Sequence, residues 1–142
     1  MRVKRIGRWA VVTGVLAAAA GCGASAEPPP ASPQLGTEFT LAPGETARLD
    51  DDRLTVSFDE VSADGRCPAG TACVWEGDAM VVTEVTVGAQ RSRHELHTNQ
   101  RFATEVTVGR YRIALVELRP SPPASGPVPA ADYRADLLIT GR

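Results

Sequence analysis

The side chains best equipped for chemistry stand in three places. Cys67 and Cys73 flank a turn within Asp64-Gly65-Arg66-Cys67-Pro68-Ala69-Gly70-Thr71-Ala72-Cys73-Val74-Trp75-Glu76-Gly77, His94 and His97 lie either side of Glu95, and Asp50, Asp51 and Asp52 stand in a row. A dithiol built for exchange is usually spaced C-x-x-C with a cation or helix end to depress the thiol pKa; here the spacing is C-x5-C with only Arg66 beside it. Two cysteines without a neighbouring histidine do not make a structural zinc site. His94 and His97 point to opposite faces if they share a strand, so they are expected to be exposed strand residues and not paired ligands. The aspartate run lacks the ligand spacing of a calcium loop and reads as a solvated hairpin turn. There is no G-x-S-x-G elbow, H-E-x-x-H pair or phosphate-cradling glycine loop. The residues therefore predict no enzyme and no cofactor, with thiol-disulfide exchange or a metal-dependent activity as the alternatives.

The first residues say where such a chain works. Met1 to Arg8 carry four positive charges and no negative one, Trp9 to Ala20 are apolar, and Gly21-Cys22 follows. That is the order of a secretory signal, and an apolar run this short falls below the roughly 20 residues a spanning helix needs. Ala18-Ala19-Ala20-Gly21-Cys22 resembles the bacterial lipobox, with Ala19 where leucine is commonest. The resemblance implies a signal peptide over 1–21, a lipid on Cys22, and a lipid-anchored protein on the extracytoplasmic face of the cell membrane. Residues 22–36 are rich in Pro, Ala and Ser and read as a flexible tether, reaching about 3 Å per residue where proline dominates. Removal of Arg2, Lys4, Arg5 and Arg8 with the signal leaves 11 basic against 17 acidic side chains, a balance of −6. An acidic domain without a basic stripe excludes nucleic acid as a partner. With Cys22 assigned to lipid, Cys67 and Cys73 remain as an even pair in an oxidising compartment and are expected to form a disulfide.

If a strand begins at Ala72, Cys73, Trp75 and Gly77 share a face, and Trp75 is expected to pack on the disulfide and close one end of the core, in preference to standing out as a ligand platform. Asp64, Arg66 and Glu76 are candidates for an ion pair across the loop or for ordinary solvated charges. Asp64, Arg66, Trp75 and Glu76 are also the residues a binding partner would meet. The segment resembles a group of small, uncharacterised bacterial exported lipoproteins whose pattern is D-S-R-C-P, a few residues, then C-x-W-x-G. Asp64, Arg66, Cys67, Pro68, Cys73, Trp75 and Gly77 match it, and Gly65 replaces the usual serine. The likeness extends more loosely to Phe39, to the stretch Leu54 to Phe58, and to Tyr111 running on to Pro120-Ser121-Pro122-Pro123 and Tyr133. It implies relatives and no established activity.

The elements that must position these residues are strands. Leu54, Val56 and Phe58 alternate with polar partners, as do Val81, Thr83, Val85 and Val87; Phe102, Thr104, Val106 and Val108; Tyr111, Ile113 and Leu115; and Tyr133, Ala135, Leu137 and Ile139. Parity changes at Phe58-Asp59-Glu60-Val61 and at Leu115-Val116-Glu117-Leu118, the mark of a β-bulge or of a strand crossing between sheets. Thr83 to Gly88 recurs letter for letter as Thr104 to Gly109, which reads as coincidence in a strand alphabet sooner than as a duplicated hairpin. The fold class is all-β: one domain over 37–142, an antiparallel β-sandwich or small barrel of about 7–8 strands.

A rigid β-scaffold presenting loops suits a binding or interaction module of the cell envelope, with an envelope protein or a small molecule as its ligand. Two candidate surfaces are the braced loop 62–72 and, at a separate end, the proline-rich run from Arg119 to Pro129, whose plainer reading is a stiff crossover between the last two strands. A protease-inhibitor-like module is a narrower version of the same idea, although no inhibitor motif is present.

Overall fold

The computed structural model describes residues 32–142; the expected signal peptide and Cys22 lie outside the described residues. Among them eight strands form: β1 (Glu38–Leu41), β2 (Thr46–Leu49), β3 (Leu54–Asp64), β4 (Ala79–Val87), β5 (Gln90–His97), β6 (Glu105–Val108), β7 (Tyr111–Arg119) and β8 (Arg134–Gly141). They make two antiparallel four-stranded sheets, ordered β1-β8-β7-β6 and β2-β3-β4-β5, which pack as a sandwich. The inner faces hold the alternating residues expected of them: Leu54, Val56, Phe58, Val81 and Val85 from one sheet, Tyr111, Ile113, Leu137 and Ile139 from the other, all buried. Burying a side chain of this kind contributes roughly 1.5–3 kcal/mol, and side chains at every second position of several strands supply one continuous core.

Both changes of parity are bulges, because β3 and β7 each stay in one sheet. Register slips between Phe58 and Glu60 and between Leu115 and Glu117, and β3 slips once more between Val61 and Ala63. Each extra residue lets the strand turn its next apolar side chain back inward, so Leu118 is buried and Val61 packs against the core. Phe102 departs from expectation. It lies in a turn before β6 and is 49% exposed, because Asn99 closes that turn by accepting the Phe102 N–H on its carbonyl. At the other boundary Leu35 packs on the core and the Gly36 N–H donates to Ile139 O at 2.7 Å, so the last residues of the segment read as a tether already belong to the fold.

The repeated string has a local explanation. Val87 pairs with Gln90 and Val108 with Tyr111, leaving two-residue turns that open on Gly88 (φ 59°) and Gly109 (φ 60°). A positive φ at the first central position is what a II′ hairpin turn demands and what glycine supplies freely. The same six letters thus write the same strand-into-turn geometry once in each sheet.

Apart from the four-residue link 42–45, which carries the chain from β1 in one sheet to β2 in the other, the connections divide by length between the two ends of the sandwich. At one end lie the turns 88–89 and 109–110 and the four-residue turn 50–53, where Tyr111 Oη and Arg110 both donate to Asp50 and tie the sheets together. Asp50, Asp51 and Asp52 all adopt positive φ there (53°, 52° and 63°), a conformation short polar side chains tolerate best after glycine. The chain also enters at this end, where Gly36 meets Ile139, and leaves it at Arg142, whose N–H donates to Arg110 O. The longer connections 65–78, 98–104 and 120–133 all lie at the opposite end.

Candidate functional site

Asp64 ends β3 and Arg66 follows two residues later, and the pair organises the long-loop end. Arg66 Nε donates to Asp64 Oδ1 at 2.8 Å and Nη2 to Asp64 Oδ2 at 2.7 Å, a bidentate pair whose side chains are only 13% and 10% exposed. The same guanidinium donates through Nη1 to Leu118 O and through Nη2 to Pro120 O at 2.8 Å. From the end of the 120–133 connection, just before β8, Tyr133 Oη donates to Asp64 Oδ2 at 3.0 Å. Burial pushes the Asp64 carboxyl up, but the hydrogen bonds and charge of Arg66 outweigh it and hold Asp64 below its ordinary range. Burial, and then the hydrogen bond to Asp64, push the Tyr133 phenol up to about 12. With most of its donors engaged inside the fold, Arg66 is a clamp between the sheets and presents little to a ligand.

The loop above this clamp is braced at its base and free at its tip. Cys67 and Cys73 form the expected disulfide, with Cα atoms 6.0 Å apart. The Gly65 N–H donates to Asp78 O at 2.8 Å and the Cys67 N–H to Glu76 O at 2.9 Å, zipping the two stems together. Gly77 makes that approach possible. Its φ is +76°, and a Cβ there would stand 2.0 Å from Gly65 O and 2.7 Å from Arg66 Cα, so no other residue fits without moving backbone. At Gly65 a Cβ would meet only Asp78 O at 3.5 Å, an ordinary contact distance, so this position accommodates a side chain.

Two expectations for this loop need correction, and one open alternative is decided. No strand begins at Ala72; β4 starts at Ala79, because the left-handed turn at Gly77 and the cross-link at Cys73 take residues 73–76 out of the sheet. The alternation that was to send Trp75 inward therefore does not apply, and the core beneath is closed by Leu118, Val128 and Tyr133 instead. Trp75 is 51% exposed and Val74 is 106% exposed, wholly in solvent. Of the two alternatives for Glu76 the solvated charge holds: among the described residues it makes no ion pair, Asp64 and Arg66 satisfy each other, and Glu76 contributes its backbone carbonyl to the stem while its side chain stays exposed. The proline run, finally, is not at a separate end. It connects β7 to β8 and props the braced loop directly, Ala69 N–H donating to Pro122 O at 2.8 Å, with Pro122 and Val128 buried.

A third connection, 98–104, completes the platform through residues whose role the sequence did not announce. Asn99 is buried and donates from Nδ2 to Gly77 O at 2.8 Å, holding the second stem from below. Asp78 accepts from the Asn99 N–H at 3.0 Å and sits 2.6 Å from His97 Nδ1. Burial acts to raise the Asp78 carboxyl, and the hydrogen bonds from His97, Asn99 and Thr98 together with the His97 charge bring it below its ordinary range. His97 in turn lies against the Phe102 ring at 5.0 Å between centroids. His94 faces elsewhere, its Nε2 2.7 Å from Ser92 Oγ, so the two histidines do not converge, and both are half-buried instead of exposed.

Between the stems and the proline run a cleft of about 340 Å³ opens, lined by Arg66, Glu76, Thr98, Asn99 and Ser121 among others; a second of about 240 Å³ lies between the run and Tyr133. Among the described residues no group of three or more His, Cys, Asp or Glu side chains is placed to share a metal ion, and no helix is long and apolar enough to cross a membrane. What this end offers is a stiffened rim of backbone and apolar side chain: the N–H and C=O groups of Cys73, Val74 and Trp75 make no hydrogen bond among the described residues. No family model, no curated protein and no solved structure matches the chain.

Proposed function

We propose that this chain is an exported lipoprotein, anchored to the membrane through lipid on Cys22, whose β-sandwich serves as a binding module of the cell envelope. The observation that carries the reading is the segregation of its connections. The folded chain begins at the tight-turn end, beside Ile139 and Asp50, so a tether reaching back to a membrane leaves the domain there. The braced loop, the 98–104 turn and the proline run sit at the end of the sandwich opposite Gly36 and Ile139. Loops held by a rigid scaffold are where proteins place recognition, and the clamp, the disulfide and the Asn99 bond fix one such loop while leaving its apolar tip uncovered. The likeness of Asp64 to Gly77 to a group of small exported lipoproteins agrees with the address.

The test is crosslinking in the native host. A photo-crosslinking residue at the exposed position Ala72, on the braced loop, is compared with one at the exposed Ala89, in the opposite turn. The lipidated chain is expected to give a discrete adduct from Ala72 and none from Ala89, and Cys22→Ser is expected to release the protein from the membrane fraction. Adducts from Ala89 alone, or a membrane association indifferent to Cys22, would refute the assignment.

A further inference from the structure

We infer that Cys73-Val74-Trp75 is a substrate-like segment that occupies the cleft of a serine endopeptidase whose primary pocket takes a small aliphatic side chain, and that the protein inhibits such an enzyme. The inference rests on the binding-module reading and names its partner.

Three observations converge on that segment. The first is exposure: residues 69–76 are all exposed, and Val74 is extruded completely, at 106%. Val116, the next most exposed branched aliphatic side chain, stands at 49% on a strand; a valine held wholly in water at the tip of a pinned loop is shaped to enter a pocket on something else. A shallow apolar pocket of the elastase type accepts that size. The second is backbone availability. Among the described residues the N–H and C=O groups of residues 73–75 make no hydrogen bond, and the chain bends outward at Val74 and Trp75, so an endopeptidase can reach them with hydrogen bonds of its own.

The third observation is that both sides of Val74 are fastened independently. On its N-terminal side Cys73 is bonded to Cys67. On its C-terminal side Glu76 O accepts the Cys67 N–H at 2.9 Å, and Gly77 lies on the Gly65–Arg66 backbone with its carbonyl held by Asn99. Binding such a loop loses little conformational entropy, since it is already ordered. The fastening also bears on turnover. Attack by the enzyme's serine oxygen on the Val74 carbonyl forms an ester, breaks the Val74–Trp75 amide and passes the serine proton to the Trp75 nitrogen. That amine, held through Glu76 and Gly77, stays beside the ester, so re-formation of the amide, with the proton returned to the serine, outruns hydrolysis by water. A docking platform for a sugar or an aromatic ligand would rely on Trp75 and leave Val74 idle, which separates the two ideas experimentally.

The experiment titrates the mature, disulfide-intact chain into an elastase-type endopeptidase acting on a fluorogenic peptide. Reversible inhibition at micromolar concentration or below is expected, with the intact chain surviving while the reduced chain is cut after Val74. Because the Val74 side chain is fully in solvent, Val74→Asp and Val74→Arg should keep the wild-type circular dichroism. Val74→Asp should weaken inhibition at least 100-fold, and Val74→Arg should transfer it to a trypsin-type enzyme. The inference falls if neither the wild type against elastase-, chymotrypsin- and subtilisin-type enzymes nor Val74→Arg against a trypsin-type enzyme inhibits. It falls equally if Val74→Asp changes nothing, if Trp75→Ala alone abolishes binding, or if the intact chain is cut as fast as the reduced one. An Ala72 adduct to a component that is not a peptidase would overturn this inference and leave the display reading standing.

Discussion

Replacing Arg66 by methionine tests whether this residue builds the platform or belongs to its binding face. The substitution keeps the aliphatic stem and removes the cation, leaving Asp64, 10% exposed, without its bidentate partner and leaving Leu118 O and Pro120 O without their donor. Breaking a buried pair from one side costs about 3–5 kcal/mol, and the residual exposure here points to the lower figure, about 3 kcal/mol. For a domain near 110 residues that lowers the thermal midpoint by about 12 °C, at about 4 °C per kcal/mol. Asp64→Asn should cost less, because Arg66 keeps both backbone carbonyls. The double variant, followed by urea unfolding, should show a coupling of about 2 kcal/mol between the two sites. A loss below about 1 kcal/mol for Arg66→Met, the value of an exposed ion pair, would refute the clamp and return Arg66 to the surface. The outcome also governs how binding data are read, since a partner lost on mutating a clamp residue reports unfolding of the loop end as much as a lost contact.

Gly77→Ala should cost more than about 3 kcal/mol or prevent folding, while Gly65→Ser should stay within about 1 kcal/mol of wild type by the same urea assay, because one added Cβ strikes backbone and the other meets ordinary contact distance. Replacing both Cys67 and Cys73 by serine should cost about 2 kcal/mol, the closure entropy of a loop this short, with faster amide exchange across residues 67–76 by mass spectrometry and little change in the strands. In acid, stability should fall as pH drops through the depressed carboxyls of Asp64 and Asp78: each is held below the ordinary 3.8, so its contribution is complete above that value and disappears beneath it. In alkali the sign reverses. Tyr133, raised to about 12, contributes stability that is whole below the ordinary 10 and is lost as pH climbs from 10 towards 12, so Tyr133→Phe should flatten that part of the curve.

The strands were legible because one face of each is buried and the side-chain period is two, so alternation is a direct imprint of burial. The changes of parity after Phe58 and Leu115 were legible too, since an inserted residue must shift the apolar set by one, although parity alone did not separate a bulge from a strand crossing between sheets and gave no sign of the slip between Val61 and Ala63. The same rule failed at both points where a strand was extended past its true end. Trp75 and Phe102 each stand just before a strand, in phase with it, yet the backbone there is already turning, through Gly77 in one case and through the Asn99–Phe102 bond in the other. Periodicity carries no information about where a ladder stops. Nor does it encode contacts between distant segments: Arg66 meets carbonyls 52 and 54 residues away, and Asp64 meets a tyrosine 69 residues away. Backbone carbonyls have no letter in the sequence, so the joining of the cysteine loop to the proline run was hidden, and the two were assigned to separate ends.

That joining bears on why the loop end exists at all. Closing a sandwich needs only short turns, as the connections 50–53, 88–89 and 109–110 demonstrate, and every longer connection adds backbone to be ordered at about 1–2 kcal/mol per residue. The disulfide, the Arg66 clamp and the Asn99 bond offset part of that cost, yet a hairpin in place of residues 65–78 would avoid it altogether. The burial forgone by Val74 and Trp75 adds roughly 1.5–3 kcal/mol for each side chain. Stability alone therefore accounts for neither the length of the loop nor the placing of its apolar tip. The proposed binding role would account for both, and it would place the recovery of that forgone burial in a complex, where Val74→Asp would cancel it without touching the fold.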